Sequence, residues 1–193
     1  MKHTPLPTVV FLFRFFLVVL VMPLNQGCIP VVIAAAGAGG YLLADEEAQD
    51  NLKNIFKDIS DSLKKQTRGI KSEKETRKDL DYRDDEGFLL EITAFSVKPS
   101  EVRCGEEIQV TTQYSILGAP EEGILIRDIK SLWVDNKEII TLADDTIKRN
   151  NGTWESTLAF EVPASAAAGP HKIKQKILHD TERIESVGFF TIK

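Results

Sequence analysis

The chain has 193 residues, 42% of them hydrophobic and 27% charged, which gives room for one domain with a sizeable core and some appendages. Its formal charge is −5, and residues 45–193 alone stand at −7, because residues 1–44 contain Lys2, Arg14 and no acid. That balance argues against nucleic-acid binding, which needs a basic face against phosphate.

Lys2, His3 and Arg14 precede Phe15–Leu24, a run of ten uncharged and mostly apolar residues. Such a run falls within the ~7 to 15 residues of a signal-peptide core and short of the ~20 needed to span a membrane as a helix. Pro23 lacks an N–H and crowds the preceding turn, so any helix ends there. Gly27-Cys28 directly after this core resembles the lipobox of bacterial lipoproteins. The resemblance covers residues 1–28, with Asn25 and Gln26 where the pattern has an aliphatic and a small residue. It implies a signal peptide over 1–27, cleavage between Gly27 and Cys28, and lipid attachment, with palmitate-type acyl chains, at Cys28. The mature chain would then sit lipid-anchored in the bacterial cell envelope, at the outer membrane or facing the periplasm. An uncleaved anchor, or secretion with Cys28 as a plain thiol, stays open.

Residues 28–44 read as a small-residue, apolar, membrane-proximal segment. As a helix, the 16 residues Ile29–Ala44 cover ~24 Å, less than a ~30 Å hydrocarbon core. Ala35/Gly39 and Ala36/Gly40 repeat the small-xxx-small spacing that lets helices approach closely in membranes, a fragment of a glycine zipper. A flexible tether and a membrane-contacting helix both fit. In the alternative organisation, residues 9–44 form a two-helix hairpin that turns at Asn25-Gln26-Gly27 and oligomerises, with a soluble β domain beyond; Arg14 opposes it. Gly37-Ala38-Gly39 mimics a dinucleotide fingerprint, but Leu42 stands where its third glycine belongs and no βαβ unit surrounds it.

Residues 45–70 carry helix signals: no glycine or proline from Tyr41 to Arg68, Asp45-Glu46-Glu47 for a first turn, and Lys64, Lys65 and Arg68 before Gly69. Leu52, Ile55, Phe56, Ile59 and Leu63 recur at spacings of three and four, so the helix is amphipathic and its stripe faces a partner surface. That surface is the protein's own domain or a second copy, the bilayer, or a protein partner. Residues 71–86 hold twelve charged residues in sixteen and read as a charged linker or frayed helix.

Beyond Gly87 the period changes from 3.6 to 2. Ile108, Val110, Thr112, Tyr114 and Ile116 alternate with polar neighbours, as do Trp154, Leu158, Phe160 and Val162. Further strands are expected over Phe88–Val97, Ile124–Val134, Glu138–Leu142, His171–His179 and Arg183–Ile192, with turn signals between them. About seven antiparallel strands over 87–193 predict a mainly β, single sandwich domain, preceded by the helix and linker. Phe95-Ser96-Val97-Lys98-Pro99, Gly105-Glu106-Glu107-Ile108, Gly152-Thr153-Trp154, Val162-Pro163 and Ala168-Gly169-Pro170-His171 resemble bacterial immunoglobulin-like or fibronectin-type-III-like modules. The resemblance implies architecture and no particular ligand. His171 stands where such modules place a corner tyrosine.

No cofactor, metal or catalytic constellation is legible. His171 and His179, eight apart on one strand, are ~26 Å apart, too far for one ion. Asp144-Asp145 and Glu121-Glu122 are expected in turns without a calcium-loop spacing, and Asn151-Gly152-Thr153 reads as a hairpin turn. Cys104, between Arg103 and Gly105, is a turn residue, a reactive thiol or a disulfide partner of Cys28. Trp133 and Trp154 are expected in the core or at its rim. The sequence therefore predicts a non-catalytic, membrane-anchored binding or scaffold module.

Overall fold

The computed structural model describes residues 58–134 and 136–193. The expected small-residue segment and hairpin, Gly27 and Cys28, and Leu52, Ile55 and Phe56 lie outside the described residues.

Among the described residues nine strands form two sheets, the mainly β, immunoglobulin-like sandwich that the sequence predicts, with nine strands where about seven are expected. The strands are β1 Lys64–Lys71, β2 Leu89–Lys98, β3 Glu101–Val102, β4 Glu107–Leu117, β5 Ile124–Val134, β6 Lys137–Arg149, β7 Gly152–Glu161, β8 Gly169–His179 and β9 Glu182–Ile192. One sheet runs β1-β7-β4-β2 and the other β3-β9-β8-β5-β6. All pairs are antiparallel except the short β3 on β9. The orders β2-β4-β7 and β9-β8-β5 are the A-B-E and G-F-C orders of the immunoglobulin fold, with β6 added beside C. β1, which precedes strand A in the chain, covers the free edge of E.

Two N-terminal expectations change. Residues 58–62 are helical (α1), but Lys64–Lys71 is a strand paired with β7, so the helix does not run to 70. The basic residues that suit a last helical turn instead find carboxylates on other strands: Lys64 on Glu107 at 2.8 Å and Arg68 on Glu155 at 2.7 Å within the same sheet, and Lys65 on Asp145 of the facing sheet at 2.9 Å. Ile59 is buried in the sandwich core and Leu63 packs against it. These two residues of the apolar stripe therefore face the protein's own domain.

Residues 71–86 are likewise structured. Ser72 and Glu75 form a reciprocal capping box that starts α2 (Glu73–Asp79), and Arg77 and Lys78 complement its C-terminal end. Thr76 is fully buried, its hydroxyl 2.8 Å from that of Thr153, which in turn lies 2.9 Å from Ser115 Oγ. Tyr82 is buried with its hydroxyl donated to Gly87 O, and Arg77 stacks on its ring at 4.9 Å. A few anchors thus seat a strongly charged segment against β7 and β4.

In the sandwich, β6 is longer than expected and takes in Asp144 and Asp145, which are strand residues and not turn residues. Glu121-Glu122 lies in a turn, as read. The apolar interior falls into two clusters. One holds Val110, Leu132, Leu158, Phe160, Ile173 and Phe190, and the other Tyr114, Ile116, Ile124, Ile126 and Ile177.

Candidate functional site

What separates the two clusters is a layer of polar side chains. On β4, Thr112 lies between Val110 and Tyr114; on β5, Asp128 and Lys130 lie between Ile126 and Leu132; on β7, Ser156 lies between Trp154 and Leu158; on β8, Gln175 lies between Ile173 and Ile177. All five polar residues point inward by strand parity and are buried. Burying such groups is costly unless each finds a partner, and here each does. Lys130 Nζ donates to Asp128 Oδ1 at 2.7 Å and to Ser156 Oγ at 2.9 Å. Gln175 Nε2 donates to Asp128 Oδ1 at 2.8 Å, while Thr112 Oγ1 donates to Gln175 Oε1 at 2.9 Å. Burial pushes the Lys130 ammonium below the usual lysine range, with Asp128 opposing that shift.

Toward the open side of the sandwich this layer meets a cavity of about 30 Å³, lined by Lys65, Thr67, Asp128, Lys130, Asp145 and Ser156 among others. The Lys65–Asp145 pair joins β1 of one sheet to β6 of the other beside it. About one or two waters fit such a volume. The Lys130–Ser156 bond lies at the inner wall of this cavity, with β1 residues Lys65 and Thr67 on its lining. Beyond it, Arg149 Nε donates to Tyr114 Oη at 3.0 Å and its guanidinium lies 4.4 Å from the Trp154 ring centre. Burial raises the Tyr114 hydroxyl's pKa, against the pull of Arg149. Arg149 Nη2 is buried without a hydrogen-bond partner among the described residues.

The second chemically distinct region is the outer face of the β9-β8-β5-β6 side. Lys172, Lys174 and Lys176 alternate with inward His171, Ile173, Gln175 and Ile177 on β8. Lys172 lies opposite Phe189 on one side and Trp133 on the other, and Lys174 lies opposite Val187 and Ser131. The Trp133 ring carries the Lys174 ammonium at 4.0 Å and that of Lys172 at 5.5 Å, and its Nε1 donates to Ser131 Oγ at 2.7 Å. Phe189 is 67% exposed and Val187 43%.

The structure spreads the sequence-predicted residues apart. Cys104 lies in the turn before β4, half-buried against the apolar core, which fits the turn-residue reading. His171 and His179 sit at opposite ends of β8, as read. His171 Nδ1–H donates to Gly169 O at 2.9 Å while its ring stacks on Phe190, so imidazole makes a backbone bond at the corner position. Trp133 and Trp154 are half-buried rim residues. No group of three or more His, Cys, Asp or Glu able to hold a metal occurs among the described residues. The polar layer went unread in the sequence, although charged Asp128 and Lys130 in the inward parity of a strand flanked by Ile126 and Leu132 are its signal.

No protein-family model matches the chain, and no curated protein matches it. Solved structures with similar folds include a Pseudomonas fluorescens alkylpurine DNA glycosylase bound to DNA, at 13% identity over 54% of this chain and 30% of that one, TM-score 0.40. A Bacteroides eggerthii conjugative transposon lipoprotein matches at 16% identity over 54% of this chain and 97% of that one, TM-score 0.31. The CARDB domain of a Pyrococcus furiosus protein, in complex with two metal ions, matches at 13% identity over 56% of this chain and 89% of that one, TM-score 0.36. The chain spans 30% or less of the glycosylase and of two matched glycoside-cleaving enzymes. Likeness at this level is a distant likeness of β-sandwiches and carries nothing about activity or partner.

Proposed function

We propose that the chain is a cell-envelope lipoprotein, attached to a membrane through acylated Cys28, that presents its sandwich as a non-catalytic binding or scaffold module. The observation that carries this reading is the placement of Gly27-Cys28 directly after the apolar run Phe15–Leu24, ahead of a folded body that begins within about 30 residues. The body's own chemistry supports it. Its buried polar side chains bond chiefly to one another, and its exposed feature is a lysine- and aromatic-bearing sheet face suited to contact.

Mass spectrometry of the protein extracted from membranes tests the anchor. Acylated Cys28 as the first residue is expected, and a Cys28→Ala chain should lose the acyl mass and keep residues 1–27. An intact Met1, or a first residue elsewhere, would overturn the anchor and favour the hairpin of residues 9–44 or plain secretion. The chain has two cysteines, so a thioether at Cys28 and an intrachain disulfide at Cys104 exclude each other. Reductant releases the disulfide and leaves the thioether, so the same spectra decide between them.

A further inference from the structure

We infer that the outer face of β8 and its neighbours docks flat on an anionic phospholipid surface, orienting the sandwich against the membrane that holds the chain. This rests on the membrane anchoring proposed above and adds a second, electrostatic contact to it. Lys172, Lys174 and Lys176 project from one face of β8 over a span of about 13 Å. Three acids share the face: Asp144 is paired with Arg127, Glu138 accepts from the Thr141 hydroxyl, and Glu185, paired with Arg183, lies opposite Lys176 and also feels the charges of Lys174 and Lys176. No described carboxylate is in ion-pair contact with Lys172, Lys174 or Lys176, and Lys172 Nζ is bonded to the neutral Asn136 side chain at 2.6 Å.

Three features of this patch fit a lipid surface. A row of ammonium groups on a sheet matches a plane of phosphates better than it would grip a segment seated in a groove. Phe189, Val187 and Trp133 flank the row, supplying the apolar and indole groups that settle at the headgroup level. Charge then selects this face. Residues 45–193 carry −7, so an anionic surface repels the domain as a whole and attracts it only where basic groups outnumber acids, as Lys172, Lys174, Lys176, Arg127 and Arg183 outnumber Glu185, Asp144 and Glu138 here. A lipid-attached chain is held beside the bilayer, so even a weak patch is presented at high effective concentration.

Two single-tryptophan chains separate docking from anchoring, because Trp133 lies on this face while Trp154, on the other sheet, faces the interior and packs against Gly69 and Arg149. Full-length W154F and W133F chains are reconstituted into vesicles of phosphatidylcholine alone or mixed with phosphatidylglycerol, each containing lipid brominated near the headgroup end. Trp133 should be quenched in the anionic vesicles and much less in the neutral ones, with Trp154 little affected in either. Adding salt to about 0.5 M should reverse the quenching. K172Q/K174Q/K176Q should shift the docked-to-undocked ratio by on the order of a hundredfold. If the chain floats with anionic vesicles but Trp133 is quenched no more than Trp154, docking is overturned while the anchor stands, and an acidic protein becomes the occupant to seek. Quenching indifferent to anionic lipid or to the lysine substitutions also overturns it. A chain that floats with neither vesicle removes the anchor and the docking together.

Discussion

Lys130 and Asp128 hold the least forgiving positions in the chain, since each is about 2% exposed and each neutralises the other. Truncating one partner leaves the other charge buried and alone, so Asp128→Ala should cost roughly 3 to 5 kcal/mol in denaturant unfolding. Lys130→Met combined with Asp128→Asn removes both charges and keeps an acceptor for Gln175, and should restore most of that loss. A double variant no better than the single one would show that the charges themselves stabilise the fold. Trp154 is a milder case. Its ring is half-buried, lying 3.6 Å from where a side chain on Gly69 would begin and carrying Arg149 on it, and its Nε1 donates to Asn150 O at 3.0 Å. Trp154→Ala should therefore cost about 2 to 3 kcal/mol, less than the ~3 to 5 of a fully buried indole. Glu155 accepts from Gln113 and from Arg68, and these bonds, Gln113's first, lower its pKa below the ordinary carboxylate value. A carboxylate with a lowered folded pKa adds stability that is present above its unfolded pKa of about 4.3 and is lost as pH falls through the folded value. NMR titration should place Glu155 below the free-glutamate value, and Arg68→Gln together with Gln113→Ala should bring it back.

The elements that the sequence displayed were those with one wet face and one dry face. β4, β5, β7, β8 and β9 alternate strictly enough to be placed to within a residue or two, because inward apolar groups and outward polar groups obey the period of two. β1 carries almost no such signal. Seven of its eight residues are exposed, and it exists because the edge of β7 offers backbone bonds and carboxylates, a tertiary cause that the local sequence does not encode. The absence of glycine and proline before Gly69 therefore read as helix. The same blindness applied to α2, whose seat depends on Thr76 and Tyr82 and not on any apolar stripe. It applied in reverse to Asp128, Lys130 and Gln175, polar residues hidden in strands whose alternation was otherwise clear. In hydrogen exchange, the amides of β1 should exchange faster than those of β4, which is paired on both sides and buried along its inner face. Equal protection would mean that β1 opens only with the whole sandwich.

At the scale of the whole molecule, two apolar clusters are joined through a hydrogen-bonded polar layer, so cooperativity between the halves passes through Asp128 and Gln175 as well as along the strands. Asp128→Ala should thus lower unfolding cooperativity as well as the midpoint, visible as a smaller m-value. The position of β1 has a mechanical meaning. Tension applied to the chain upstream of Asp58 enters the sandwich through the seat of Ile59 and then along β1, whose ladder to β7 comprises seven residue pairs. A pull along the strand strains those bonds together, in shear, whereas a pull across it would part them one after another. If the chain is anchored through its N-terminal part as proposed, the strand that looks like an accessory on the sheet edge becomes the hinge pin on which the domain hangs, and its resistance to load depends on the direction of the pull.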